Sequence, residues 1–216
     1  MICVAGTKEQ LPPRLMEAVG RYRRKVFVDR LGWPLRSDGE IEMDEFDGPN
    51  AVYVSSQDEH GHLNGVARLL PTTIPYLLKE VFPSLWYGSD LPHSPETWEL
   101  SRFAAVDFDT PASFANQASA KHAASLFRQV ARVARTLGAR RLVTVSPLGM
   151  ERLLRINGFH SSRAGLPTKH GRNHVVALAI DVVDRQKDNY HSSLSRQSAS
   201  APKFESPQAS LEQHAL

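Results

Sequence analysis

The stretch FANQASAKHAASLFRQVARVARTL, residues 114–137, decides the fold together with the chain that follows it. Phe114, Ala118, His122, Leu126, Val130, Val133 and Leu137 recur every three or four positions, which puts them on one face of a helix that Gly138 would end. RLVTVS (141–146) then reads as a strand, 149–157 as a short helix and HVVALAIDV (174–182) as a final strand. Alternating helices and strands predict an α/β layered sandwich.

Working back from this stretch, WELSRFAAV (98–106) is a strand candidate and PYLLKEVF (75–82) a short helix opened by Pro75. AVYVSSQ (51–57) and HLNGVARLL (62–70) read as strands around the turn Glu59-His60-Gly61. Residues 36–50 are an acidic loop. Leu11, Leu15, Val19, Tyr22 and Val26 give a helix over 11–30, with Pro12 and Pro13 in its first turn and Gly32 and Pro34 beyond its end. After Asp184 the chain turns rich in Ser, Gln and His. The expected organisation is therefore one domain, 1–184, and a disordered tail, 185–216.

The 216 residues are 41% hydrophobic and 23% charged, ordinary for a globular chain and unlike collagen or a coiled coil. The single cysteine, Cys3, excludes a disulfide framework and a cysteine-rich metal site. The apolar run Ile2–Ala5 is too short for a signal peptide, and no run of about twenty apolar residues exists, so a cytoplasmic protein without membrane insertion is expected. A net charge of +3, from 26 basic and 23 acidic residues, gives a mixed surface with no argument for nucleic acid.

Four groups of residues carry possible chemistry. Arg23 and Phe27 lie four apart on the first helix, and Trp33 follows. A guanidinium fork suits a carboxylate and aromatic faces attract a cation; the alternative is two core aromatics beside a solvated arginine. Asp44 and Asp47, on a glycine-bounded loop, can converge on an ammonium or sulfonium. They lack calcium-loop spacing, and a solvated acidic loop is the commoner outcome. Arg68 stands in an apolar strand and needs a partner if buried, for function or for structure. Glu99 and Arg102 would point to opposite faces of a regular strand, so both reach one site only if the strand carries a bulge. A carboxylate in so apolar a strand fits a tuned base.

Thr144 and Ser146 share one side of their strand, where a local backbone group is the alternative partner for each hydroxyl. Arg152 and Arg155, three apart on a short helix, join Arg140 and Arg141 as a basic patch or as ordinary surface charge. His60 and His62 top a hairpin. There is no nucleophile elbow, phosphate-binding Walker loop or HExxH. Residues 106–116 hold no glycine, unlike the pyrophosphate loop of common acetyl-CoA-dependent acetyltransferases.

The segments RYRRKVFVDRLGW (21–33), EIEMDEFDG (40–48), VARLLPTTIPYLLKEVFP (66–83), WELSRFA (98–104) and LVTVSPLGMERLL (142–154), in this order and spacing, resemble the acyl-homoserine-lactone synthase family, the bacterial quorum-sensing autoinducer synthases. The likeness runs from about residue 2 to 182. It implies an acetyltransferase-like three-layer α/β/α sandwich around a mixed, splayed sheet. It maps the family's charged and aromatic set onto Arg23, Phe27, Trp33, Asp44, Asp47, Arg68, Glu99 and Arg102, with no departure at these positions.

By the same resemblance, S-adenosylmethionine is a substrate rather than a cofactor, and an acyl-acyl-carrier protein donates the acyl chain. The amine attacks the thioester, and the carboxylate then displaces methylthioadenosine to close the lactone. Glu99, beside Arg102, is the expected base, acting through a water. Ser146 stands where the family often carries Thr when the chain bears a 3-oxo group, which places Thr144 and Ser146 at the acyl pocket. Arg152 falls where the family tends to be basic and, with Arg155, is the expected carrier-docking pair. No metal is expected. The rival readings are an acyltransferase that uses acyl-CoA and a different amine, and a non-catalytic module that senses S-adenosylmethionine or the carrier.

Overall fold

The computed structural model describes residues 2–35, 38–87, 90–108, 115–171 and 173–182. The predicted tail, and the boundary expected at Asp184, lie outside them. Strands β1 (Ile2–Thr7), β2 (Val52–Gln57), β3 (Leu63–Pro71), β4 (Thr97–Ala105), β5 (Arg141–Pro147), β6 (Ser161–Arg163), β7 (Thr168–His170) and β8 (Asn173–Asp181) form one mixed sheet. Its order is β1-β2-β3-β4-β5-β8-β6, with β7 also paired to β8. Every pairing is antiparallel except β4 with β5.

Helices α1 (Pro13–Arg23) and α2 (Leu77–Val81) cover one face, and α3 (Ala115–Thr136) and α4 (Leu148–Ile156) the other. The alternation of side chains along the strands feeds two cores. Val19 and Tyr22 of α1 pack with Val66 and Leu70, while Leu126, Phe127 and Val130 of α3 pack with Ala67, Leu69 and Leu142. This is the three-layer α/β/α sandwich expected.

Two irregularities shape the molecule. The parallel β4–β5 pairing spans only Thr97↔Arg141, Trp98↔Leu142 and Glu99↔Val143, after which the strands part. In the β3–β4 ladder, Val66 faces Ala104 but Arg68 faces Ser101, so Ala67 spans two residues, Arg102 and Phe103. Arg102 takes a left-handed φ of 50°. This bulge reverses the alternation: Leu100, Phe103 and Ala105 belong to the α3 side and Ala104 to the α1 side. Glu99 and Arg102 thereby reach the same face, as their sequence positions required.

The helix expected over 11–30 is two structures. α1 ends at Arg23, and residues Arg24–Arg30 are wound as a π-helix, in which Leu31 N–H reaches back to the Val26 carbonyl at 3.0 Å. The amphipathic spacing does not distinguish the two windings. The short helix expected at 75–82 is narrowed to Leu77–Val81, followed by a 3₁₀ turn at Pro83–Leu85. β1, β6 and β7 were not anticipated. β1 contains Gly6, and β6 and β7 are three-residue polar strands that lean on β8.

Candidate active site

A cavity of about 1120 Å³ fills the space between the parted strands. From the α1 side its lining includes Phe27, Trp33, Asp44, Glu99 and Arg102. From the α3 side it includes Phe103, Ala120, Ala123, Thr144, Ser146 and Leu153. The cavity thus passes through the sheet, charged and aromatic on one face and largely apolar on the other.

Three arginines and three carboxylates build the charged wall. Arg23, 0% exposed on α1, donates from Nε to Glu42 at 2.6 Å and from Nη1 and Nη2 to Asp47 at 2.8 and 3.0 Å. Arg68 on β3 donates from Nη2 to Asp44 at 3.1 Å and from Nε to the Ser101 hydroxyl at 3.1 Å. Arg102 donates from Nη2 to Glu42 at 3.0 Å and to Asp44 at 2.8 Å. Its Nε also faces Glu42, at 3.2 Å, and its Nη1 has no partner among the described residues. Charges taken out of water must be matched in this way or cost several kcal/mol each.

Asp47 is saturated. Its Oδ1 accepts from Arg23 and from the Tyr53 hydroxyl at 2.9 Å and forms an ion pair with Arg68 at 2.9 Å, and its Oδ2 accepts from Arg23 and from Asp44 N–H at 2.7 Å. Burial raises its pKa, but Arg23 and Arg68 outweigh burial and hold it well below the usual carboxylate range. Glu42 is likewise lowered: burial opposes, and bonds to Arg23 and Arg102 prevail. Asp47, Arg23 and Arg68 do not line the cavity. They stand behind Asp44 and Arg102, which do.

Glu99 differs. Its two oxygens accept N–H groups of Leu77 at 2.9 Å and Leu78 at 2.6 Å, at the start of α2, instead of pairing with Arg102. Burial pushes its carboxyl up to about 7, against the lowering effect of those N–H groups and of Arg68. A carboxyl titrating near neutrality can take a proton.

Trp33 stacks on Phe27 with ring centroids 5.1 Å apart, and the Arg102 guanidinium lies 5.7 Å from the Phe27 centroid. The π winding and the Trp33 N–H bond to the Phe27 carbonyl, 2.9 Å, bring these rings together. Thr144 and Ser146 share the α3-side face of β5, and the Ser146 hydroxyl is buried without a partner among the described residues. Arg152 and Arg155 are exposed on α4.

Glu42 was missed by the sequence reading, which paired Asp44 with Asp47 as a loop. The segment is a loop, and in it Glu42, anchored by its N–H to the Gly20 carbonyl at 3.1 Å, joins Asp44 in accepting from Arg102. The i, i+2 spacing of two acids was the available signal.

The family model described as autoinducer synthase matches residues 10–190. An acyl-homoserine-lactone synthase of Acinetobacter nosocomialis is 46% identical over 183 residues, 84% of this chain and 100% of that one. The crystal structure of TofI in a ternary complex with an inhibitor and MTA is 39% identical with a TM-score of 0.74, over 84% of this chain and 92% of that one. MesI, a CoA-dependent acyl-homoserine lactone synthase, is 26% identical with a TM-score of 0.71, over 90% and 95%. The sandwich is acetyltransferase-like, and the enzyme it carries is an acyltransferase of the acyl-homoserine-lactone synthase type. The chain belongs to the autoinducer synthase family.

Proposed function

We propose that this enzyme makes an N-acyl-L-homoserine lactone from S-adenosylmethionine and an acyl-acyl-carrier protein. The observation that carries the reading is the cavity that joins a charged, aromatic chamber to an apolar one through the sheet. S-adenosylmethionine bears a carboxylate, an ammonium and a sulfonium and needs both signs of charge. Arg102, with Nη1 uncommitted among the described residues, suits its carboxylate. Asp44 suits the amino group, and the Phe27–Trp33 stack suits a cation and a planar base. Arg23, Arg68 and Asp47 act behind this wall by fixing Asp44 and Arg102. S-adenosylmethionine is consumed as a substrate, and no cofactor or metal takes part.

Glu99 removes a proton from the ammonium, through a water, and frees the amine lone pair. The amine nitrogen attacks the thioester carbonyl, a C–N bond replaces the C–S bond, and the carrier thiol leaves with a proton. The substrate carboxylate oxygen then attacks the carbon beside the sulfonium. That C–S bond breaks with its electrons on sulfur, releasing neutral methylthioadenosine and closing the lactone. The acyl chain lies across the splay against Phe103, Thr144, Ser146 and Leu153.

The test is a product assay with purified protein, S-adenosylmethionine and an acyl-carrier thioester, read by mass spectrometry. Lactone and methylthioadenosine in equal amounts support the reading. Acylation of a different amine from acyl-CoA, with no lactone, would replace it with the rival acyltransferase, while lactone formed from acyl-CoA alone would change only the donor. The description of MesI as CoA-dependent makes the donor comparison necessary. Binding of S-adenosylmethionine without turnover on any donor would favour a sensing module.

A further inference from the structure

The charged wall of the cavity is balanced without Glu45. Arg23, Arg68 and Arg102 face Glu42, Asp44 and Asp47, three against three, and each of these carboxylates accepts from at least one arginine. Glu99, another carboxylate on the lining, accepts the N–H groups of Leu77 and Leu78 and is reserved for the proton. Glu45 also lines the cavity. Unlike the other carboxylates of the lining, it makes no hydrogen bond or ion pair among the described residues.

The backbone of Glu45 is fixed while its side chain is free. Asp47 N–H donates to the Asp44 carbonyl at 3.0 Å, and Phe46 N–H donates to Asp44 Oδ1 at 2.9 Å, which puts Glu45 and Phe46 at the two corners of a turn. Asp44 is held by Arg68 and Arg102, and the Phe46 ring lies 5.9 Å from the Arg68 guanidinium. From this rigid corner Glu45 stands exposed on a lining that it shares with Leu31, Trp33 and Leu35.

A balanced wall with one further carboxylate carries one net negative charge. S-adenosylmethionine carries one net positive charge, because its carboxylate and ammonium cancel and its sulfonium remains. The carboxylate has the uncommitted Nη1 of Arg102, whose side chain is only 4% exposed, and the ammonium has Asp44. The sulfonium is left for Glu45. Methylthioadenosine is neutral, and so is S-adenosylhomocysteine, which differs from the substrate only by the methyl group that makes the sulfur a cation.

We propose that Glu45 is a specificity-determining residue whose carboxylate answers the sulfonium charge, so that the site holds S-adenosylmethionine and releases neutral methylthioadenosine. The proposal rests on the substrate reading above and deepens it. When the substrate carboxylate displaces the thioether, the sulfur keeps the electron pair of the broken C–S bond, and the charge that Glu45 answered is gone. The attraction acts in contact with water, so it is modest and is screened by salt.

The test uses Glu45→Gln, which removes the charge and keeps the shape, and Glu45→Asp, which keeps the charge. Calorimetry gives the Kd of wild type and both variants for S-adenosylmethionine, S-adenosylhomocysteine and methylthioadenosine, at low and at physiological salt. Glu45→Gln should raise the Kd for S-adenosylmethionine about three- to fivefold. It should leave the other two at wild-type values, which also shows that the variant is folded. Added salt should weaken S-adenosylmethionine binding by wild type more than by Glu45→Gln. Glu45→Asp should keep most of the wild-type preference for the sulfonium. An unchanged Kd for S-adenosylmethionine in Glu45→Gln overturns the proposal. Equal losses on all three ligands overturn it in favour of a contact with the adenosine, and a loss shared by S-adenosylmethionine and S-adenosylhomocysteine alone overturns it in favour of the ammonium. A wild type that binds none of the three overturns the substrate reading, and this proposal with it.

Discussion

Glu99 is held by two backbone N–H groups and still titrates near neutrality, because burial outweighs them. If it is the base, turnover should rise with pH through about 7 as the carboxyl loses its proton, and flatten above that. Glu99→Gln should lower kcat by about a hundred- to ten-thousandfold and abolish this limb of the profile; a mutant with near wild-type turnover would remove Glu99 from the mechanism. The same residue makes a stability prediction of definite sign. An ordinary glutamate near 4.5 is raised to about 7 by folding, so between those values the native state binds the extra proton. Glu99 should therefore contribute a fall in stability on the order of 3 kcal/mol as pH rises from 5 to 8, against a rise from His122, whose pKa burial lowers. Glu99→Gln, which cannot ionise, should lack that fall. Thermal melts of both proteins at pH 5, 6, 7 and 8 check it, and parallel slopes would rule it out. Glu99 and Arg102 were legible in the sequence as a pair that needed a bulge. Glu99's actual partners were not, because they are main-chain N–H groups contributed by a helix more than twenty residues away.

Elements meet at close approaches that composition does not advertise. α1 touches the acid-bearing segment at Gly20, where an added Cβ would stand 2.5 Å from Ile41 Cγ2. Gly20 also gives its carbonyl to Glu42 N–H. Alanine is the better helix former by about 1 kcal/mol, yet Gly20→Ala should destabilise the protein by about 1–3 kcal/mol through overpacking. By displacing Glu42 it should also raise the KM for S-adenosylmethionine. Denaturant unfolding and steady-state kinetics on the same preparation check this, and a stabilised enzyme with unaltered KM would show that Ile41 yields freely. The helices α1 and α3 were readable because each turns an apolar face to the sheet, and β3, β5 and β8 because both faces of each are buried, which makes them short, nearly continuous apolar runs. The π-helix was not, since its apolar spacing matches an ordinary helix over so few residues, and β6 and β7 were not, since their side chains are mostly exposed.

Across the whole molecule, the described residues include no group of three or more histidine, cysteine, aspartate or glutamate side chains placed to hold a metal ion. The acids that might have formed one, Glu42, Asp44 and Asp47, are taken up by arginines. Dialysis against a chelator should leave activity unchanged, and strict dependence on an added divalent ion would contradict the ion-pair reading of that cluster. Among the described residues, no helix is long and apolar enough to cross a membrane. The layered architecture was legible from the alternation of elements in the second half of the chain. The route of the cavity through the sheet was not, because it depends on where two strands stop pairing.

That stop has a consequence for how the chain comes to be assembled. β1 to β4 and the whole arginine–carboxylate network, from Arg23 to Arg102, lie in consecutive sequence before α3. Only three residue pairs of ladder join them to β5, β8 and the later strands. As synthesis proceeds from the N-terminus, the charged chamber can be laid down before the residues that will wall the acyl chain have been translated. Its apolar reverse side, chiefly Val54, Ala67 and Leu69, must then wait for α3 to cover it. A ribosome stalled once residues 1–108 have cleared the exit tunnel should display a nascent chain with protected β2 and β3 amides and an exposed greasy flank, and that flank is where a holdase would be expected to sit.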